Sequence, residues 1–188
     1  MRAAVLGSPV AHSRSPVLHR AAYAALGLDD WRYDAIECAE ADLPGLVEGL
    51  GPEWAGLSLT MPLKRVALDV AKEVSDRAAA ARLGVAVALA PYHAVPDRLG
   101  EFPLLVSTVP AGAADRFAGL PFRADQVVFD VLYHPWPTPL AAAALAAGAT
   151  VVGGLELLLQ QAVGQVELMT GCPAPVEAMR TALYAAAD

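Results

Sequence analysis

Ser13, Ser15, Thr60 and Lys64 have types and spacings that could do chemistry. The two serines alternate in GSPVAHSRSP, residues 7–16, just ahead of a helical run. Free backbone N–H groups and the helix dipole favour an anion at such a place. Two hydroxyls and those amides could hold a carboxylate without a full positive charge. The plainer reading is a loop with Ser15 as helix N-cap and Pro16 at the first helical position. Lys64 ends GLSLTMPLK, residues 56–64. AGLSLT alternates like a strand, and Pro62 suits the first turn of a helix. Lys64 then projects from a strand-to-helix corner, where ligands of parallel sheets bind. A lysine partly desolvated in a cleft exchanges protons with a substrate hydroxyl, whereas one in solvent is only a surface charge. Type and position leave both readings open.

Other candidates are weaker on residue type alone. Ser107 and Thr108 lie in VSTVPAG, a strand end whose hydroxyls could face a cofactor, yet a strand followed by a Pro-Gly turn is common. Gln161 lies in LELLLQQ, which reads first as a buried helix face. His12, His19, His93 and His134 have no metal-ligand spacing and read as surface or cap histidines, so no metal is expected.

These residues need elements to position them. RAAVLG reads as a buried strand, SPVLHRAAYAAL as a helix and WRYDAIEC as a second strand. EADLPGLVEGL is a helix, AGLSLT a third strand, and PLKRVALDVAKEV the helix after it. Strand and helix alternate, the signature of a mainly parallel sheet with crossover helices. Further strands are expected at 85–89, 104–109, 126–133 and 150–152. TPLAAAALAAG is a helix ended by Gly148, and LELLLQQAVGQVELMTG and PVEAMRTALYAAA are the closing helices.

Composition narrows the partners. The 188 residues carry a net charge of −7 and a pI near 5.0. Nucleic acid and anionic membranes both call for basic surface, so neither is expected. Cys38 and Cys172 are far apart, which points to a reducing cytosol rather than a disulfide scaffold. The apolar start is too short for a signal peptide. Residues 139–155 are alanine-rich and broken by Gly148, Gly153 and Gly154, so no membrane span is expected.

In order and over most of the chain, these segments resemble the shikimate dehydrogenase family. The family's G-x-P-x-x-H-S-x-S-P loop is matched by Gly7, Pro9, His12, Ser13, Ser15 and Pro16. Its V/L-T-x-P-x-K corner is LTMPLK here, and its Y-x-P-x-x-T-P-L segment is YHPWPTPL, Tyr133 to Leu140. Its G-L-x-M-L-x-x-Q segment is GLELLLQQ, with Leu157 in place of methionine. The resemblance implies an N-terminal α/β substrate domain over 1–76, joined by helices from about 157 to 188. It implies an incomplete Rossmann-like dinucleotide-binding domain over 81–156. Ser13 and Ser15 would bind a carboxylate, Thr60 and Gln161 would bind hydroxyls, and Lys64 would be the catalytic lysine. Tyr133 and Gly154 would border the nicotinamide, with Ser107 and Thr108 near the cofactor, NADP. The implied reaction is reversible reduction of 3-dehydroshikimate to shikimate by NADPH, in a cytoplasmic protein for which a homodimer is left open.

The departure from the family is large. Its G-A-x-N-T and N-T-D-G motifs do not occur, and the aspartate of the second pairs with the catalytic lysine. The glycine-rich phosphate loop is also absent; DRAAAARLG, residues 76–84, stands in its place. The chain as written is therefore expected to be inactive. It would still bind shikimate-like acids, with quinate and amino-shikimate relatives as alternatives.

Overall fold

β1 (Arg2–Gly7) is apolar for most of its length, and Ala3 to Leu6 are buried whichever face they point to. A strand buried on both faces belongs inside a parallel sheet. In the computed structural model, which describes residues 1–70 and 91–187, β1 lies between β2 (Arg32–Glu37) and β3 (Trp54–Leu59). All pairing is parallel, in the order β2-β1-β3. The register sets Val5 beside Ala35 and Ser58, and Gly7 beside Glu37. The strand expected at 85–89 and the DRAAAARLG segment lie outside the described residues.

Successive strand residues point to opposite faces. Ala3 and Val5 join Val10, Tyr23 and Tyr33 on one face, with Met169 packed beside them. Ala4 and Leu6 join Cys38, Leu43 and Leu63 on the other. α1 (Ser15–Ala25) links β1 to β2, α2 (Leu43–Glu48) links β2 to β3, and α3 (Val66–Val70) follows β3. α1 buries Leu18, His19, Ala22 and Tyr23, the three-and-four spacing of one helical face.

A second parallel sheet has the order β4 (Leu104–Ser107), β5 (Val127–Asp130), β6 (Thr150–Val152). α4 (Val95–Arg98) precedes it, flanked by 3-10 turns at Tyr92–Ala94 and Leu99–Glu101, where the sequence predicts no element. α5 (Pro139–Ala146) crosses from β5 to β6. Thr138 Oγ1 caps α5 by accepting from the Ala141 N–H at 3.1 Å. Gly148, at φ +80°, turns the chain after it. Leu99, Phe117, Val128, Leu140 and Ala144 form this sheet's core. α6 (Gly154–Thr170) and α7 (Val176–Ala185) follow, and α7 packs on α1. The chain divides into two compact units, Met1–Val85 with Leu158–Asp188, and Ala86–Leu157.

The α/β class, the parallel sheets and the crossover helices agree with the sequence, but two details near the candidate residues differ. Arg14, not Ser15, is the N-cap of α1, and Ser15 is its first residue. Pro16 brings no N–H to that turn, and the Ser15 N–H is met by Ser13 Oγ at 3.3 Å. Pro62 does not open a helix either, because residues 61–65 form turns and the helix starts at Val66. Leu63 is fully buried and its N–H donates to the Thr60 carbonyl at 2.9 Å, which holds the corner as a turn.

Candidate functional site

The loop after β1 and the turn after β3 leave the same end of neighbouring parallel strands. They are tied together: the Ser8 N–H donates to the Met61 carbonyl at 3.0 Å, and the Thr60 N–H to the Leu6 carbonyl at 2.9 Å. Gly7 permits this approach. A Cβ there would overlap Thr60 Cγ2 and lie 2.9 Å from the Met61 oxygen. Glu37, at the end of β2, accepts from the Val10 N–H at 3.2 Å and so steadies the loop that carries the serines. Ser13, Ser15 and Thr60 are half-buried, and Lys64 is exposed. Among the described residues, no hydrogen bond or ion pair engages the Lys64 amine. Gln161 is exposed on α6, in the same compact unit as these four residues.

Beneath this edge lies a polar network that residue type did not reveal. Tyr33 Oη donates to Ser58 Oγ at 2.7 Å, and Ser58 Oγ donates to Gln165 Oε1 at 2.8 Å. His19 Nε2 lies 3.1 Å from the same Gln165 oxygen. His19 stacks on Tyr33, with ring centroids 3.9 Å apart. Its expected surface position is overturned: it is fully buried, because it falls on the inward stripe of α1 with Leu18, Ala22 and Tyr23. Burial holds its pKa down at about 4, partly offset by the hydrogen bond to Gln165. Burial pushes the Tyr33 phenol up to about 12, against the smaller opposing effects of the Ser58 and Ser15 hydroxyls beside it. The one sequence cue was the helical spacing of His19 with its apolar neighbours.

The other four candidates belong to the second unit. Ser107 ends β4 with its hydroxyl buried and unpartnered among the described residues, and Thr108 beyond it is exposed. Tyr133 is half-buried in the loop after β5. That loop is anchored by Asp130, a fully buried carboxylate that accepts from Thr138 Oγ1 at 2.8 Å and from the Leu132 N–H at 3.3 Å. Gly154 N–H donates to the Leu132 carbonyl at 3.1 Å, and a Cβ on Gly154 would overlap the Val131 carbonyl oxygen. Its missing side chain thus admits the protein's own backbone.

These residues do not make up a whole dinucleotide site. A dinucleotide lies across the switch between two halves of a Rossmann sheet, with its pyrophosphate on a glycine-rich turn that opens a helix. Among the described residues the second sheet supplies one run of three parallel strands, and the sequence has no G-x-G-x-x-G run after a strand.

Two parallel sheets with crossover helices, the second ordered like one half of a Rossmann-like sheet, define a chain of the α/β class. Known proteins narrow this. The family model described as shikimate dehydrogenase substrate binding domain matches residues 5–85, and that of the shikimate 5'-dehydrogenase C-terminal domain matches residues 154–184. Shikimate dehydrogenase (NADP(+)) of Halorubrum lacusprofundi is 30% identical, with 96% of this chain and 97% of the relative covered. The enzyme of the same name from Desulfitobacterium hafniense is 27% identical, with 97% of each covered. The crystal structure of Mycobacterium tuberculosis shikimate dehydrogenase is 38% identical, with a TM-score of 0.86 over 98% of this chain and 99% of that one. The chain belongs to the shikimate dehydrogenase family. The D. hafniense alignment runs over 266 positions against 188 residues here, so at least 78 positions face no residue of this chain. Nearly the whole relative is spanned, which puts most of those positions inside the chain rather than at its ends.

Proposed function

We propose that the chain is a shikimate dehydrogenase that keeps the acid-recognition half of the site and lacks the parts that complete hydride transfer. Residues 1–76 and the closing helices form the recognition half, and residues 81–156 the remainder of the dinucleotide half. One observation carries the reading: Ser13, Ser15, Thr60 and Lys64 emerge at the carboxyl ends of adjacent parallel strands whose exits are hydrogen-bonded to each other.

In this reading Ser13 and Ser15, with the first N–H groups of α1, hold the carboxylate of shikimate or 3-dehydroshikimate. Thr60 and Gln161 take ring hydroxyls. Lys64 places an ammonium beside the oxygen whose carbon exchanges hydride, where it stabilises developing negative charge and moves the proton. NADP, the cofactor in the relatives' names, supplies the redox chemistry in the family. Because this chain does not present a full cradle for it, no hydride step is assigned to these 188 residues. The lysine also lacks the N-T-D-G aspartate with which the family pairs it.

Titration calorimetry with shikimate, alongside an assay of NADPH oxidation by 3-dehydroshikimate, tests the reading. The expected result is binding without turnover, with Ser13→Ala plus Ser15→Ala weakening binding by about tenfold or more. Failure to bind shikimate overturns the assignment of the site. Measurable turnover overturns the account of the absent aspartate and phosphate loop. Quinate in the same titration separates the acids.

A further inference from the structure

The network beneath the site has a consequence for the residues above it. α6 lies along β3 in steps that match. The Met169 side chain packs where a Cβ of Gly56 would stand, 3.0 Å away. Two strand residues on and four helix residues back, Gln165 bonds to Ser58. Two strand residues span about 6.6 Å and four helix residues about 6 Å, so helix and strand stay in step over a short stretch. The next step along both elements is Thr60 and Gln161. We propose that Gln165 is a positioning residue: its amide oxygen locks α6 to β3 in the register that sets Gln161 beside Thr60. The consequence for acid binding rests on the function proposed above.

The hydrogen-bond logic makes the lock directional. Gln165 Oε1 has two acceptor sites, and both are used, by Ser58 Oγ and His19 Nε2. Ser58 already accepts from Tyr33, so its own proton must go to Gln165. Reversing the amide would aim donors at Ser58 and leave its proton without an acceptor. Sliding α6 along β3 would break both bonds to Gln165 while the groups stayed buried. The rest of this face is Ala3, Val5, Val10 and Tyr23, which define register far less sharply than a polar set does.

Cross-linking reads the register without any ligand. Thr60→Cys with Gln161→Cys, oxidised in the otherwise native chain, is expected to form an intramolecular disulfide. Gln165→Met keeps the volume but removes the acceptor, and should lower the yield by about tenfold. Gln165→Glu keeps the acceptor and should restore it, which a purely space-filling role would not require. If Gln165→Met unfolds by circular dichroism, Ser58→Ala is the milder variant and should give an intermediate yield. An equal yield with Gln165→Met, or no disulfide in the native background, overturns the proposal. Shikimate affinity measured on the same variants should fall and recover in parallel. If the native chain cross-links as expected but binds no shikimate, the register stands and the reading of the ligand falls.

Discussion

The two sheets of this chain are matched in size and direction and differ in cover. Among the described residues each has three parallel strands. In the first, the central strand β1 is sealed on both faces, and its loops converge with those of β3 at one edge. In the second, β5 is well packed, with Val128 and Asp130 fully buried, but β4 leaves Leu104 51% and Val106 46% exposed. Among the described residues β4 has a strand on one side only. In the Rossmann order 3-2-1-4-5-6, the missing neighbour of the fourth strand is the first. The positions that relatives have and this chain lacks are therefore felt at β4, while β1 in the first sheet stays covered on both faces.

The sharpest way to break this comparison is to make the same cut in both sheets. Leu6→Ala, in the sealed strand, should destabilise the chain by about 4 kcal/mol, since a fully buried leucine leaves a cavity. Leu104→Ala, in the open strand, should change stability by about 0.5 kcal/mol or less. Urea denaturation of the two variants checks this, and equal losses would mean that β4 is covered.

The buried network of the first unit gives the next largest effect. The His19 pKa is lowered from 6.5 to about 4 when folded, so between those values the unfolded chain binds more protons than the folded one. Stability is then complete above pH 6.5 and falls as the pH drops towards 4, by up to about 3 kcal/mol. Neutral His19→Gln should flatten that part of the profile. Denaturation midpoints at several pH values check it, and an unchanged slope in the variant would place the acid-labile group elsewhere.

The second unit has its own polar anchor, with a smaller expected effect. Thr138→Val removes the cap of α5 and one donor to buried Asp130, and should cost about 2 kcal/mol. If the Tyr133 loop is held as described, hydrogen exchange of the Leu132 amide should also speed up, because Asp130 accepts from that group.

What could be read from the sequence follows the same division. β1 and α5 were legible because an unbroken apolar run and a Thr-Pro start with a Gly stop have few other solutions. The candidate residues came into view through motifs: Ser13, Thr60 and Lys64 sit in loops and Ser15 opens α1, places where residue type is not dictated by packing. The His19 network stayed hidden because histidine, tyrosine, serine and glutamine are each unremarkable alone. Their meaning lies in donor and acceptor pairing between residues up to 146 positions apart, which periodicity does not report. The corner at Pro62 departs from its sequence expectation for a related reason: the anchoring of Leu63 in the core outweighs the helix preference of the proline.

The smallest effect on stability should be the largest on behaviour in solution. An edge strand with free backbone groups and half-exposed apolar side chains is a template for pairing with another chain. Phe102, 46% exposed, extends the apolar run of Leu104 and Val106. Leu104→Lys places a charge where the side chain already meets solvent, so it should shift the denaturation midpoint by less than about 0.5 kcal/mol. It should nevertheless reduce concentration-dependent self-association, measured by light scattering or sedimentation, because a lysine on an edge opposes a second strand. The same change at Leu6 would destroy the first unit instead, as a fully buried side chain cannot reach water. If Leu104→Lys leaves association unchanged and shikimate still binds, the exposure of β4 is not what governs the solution state, and the contrast between the two sheets loses its physical consequence.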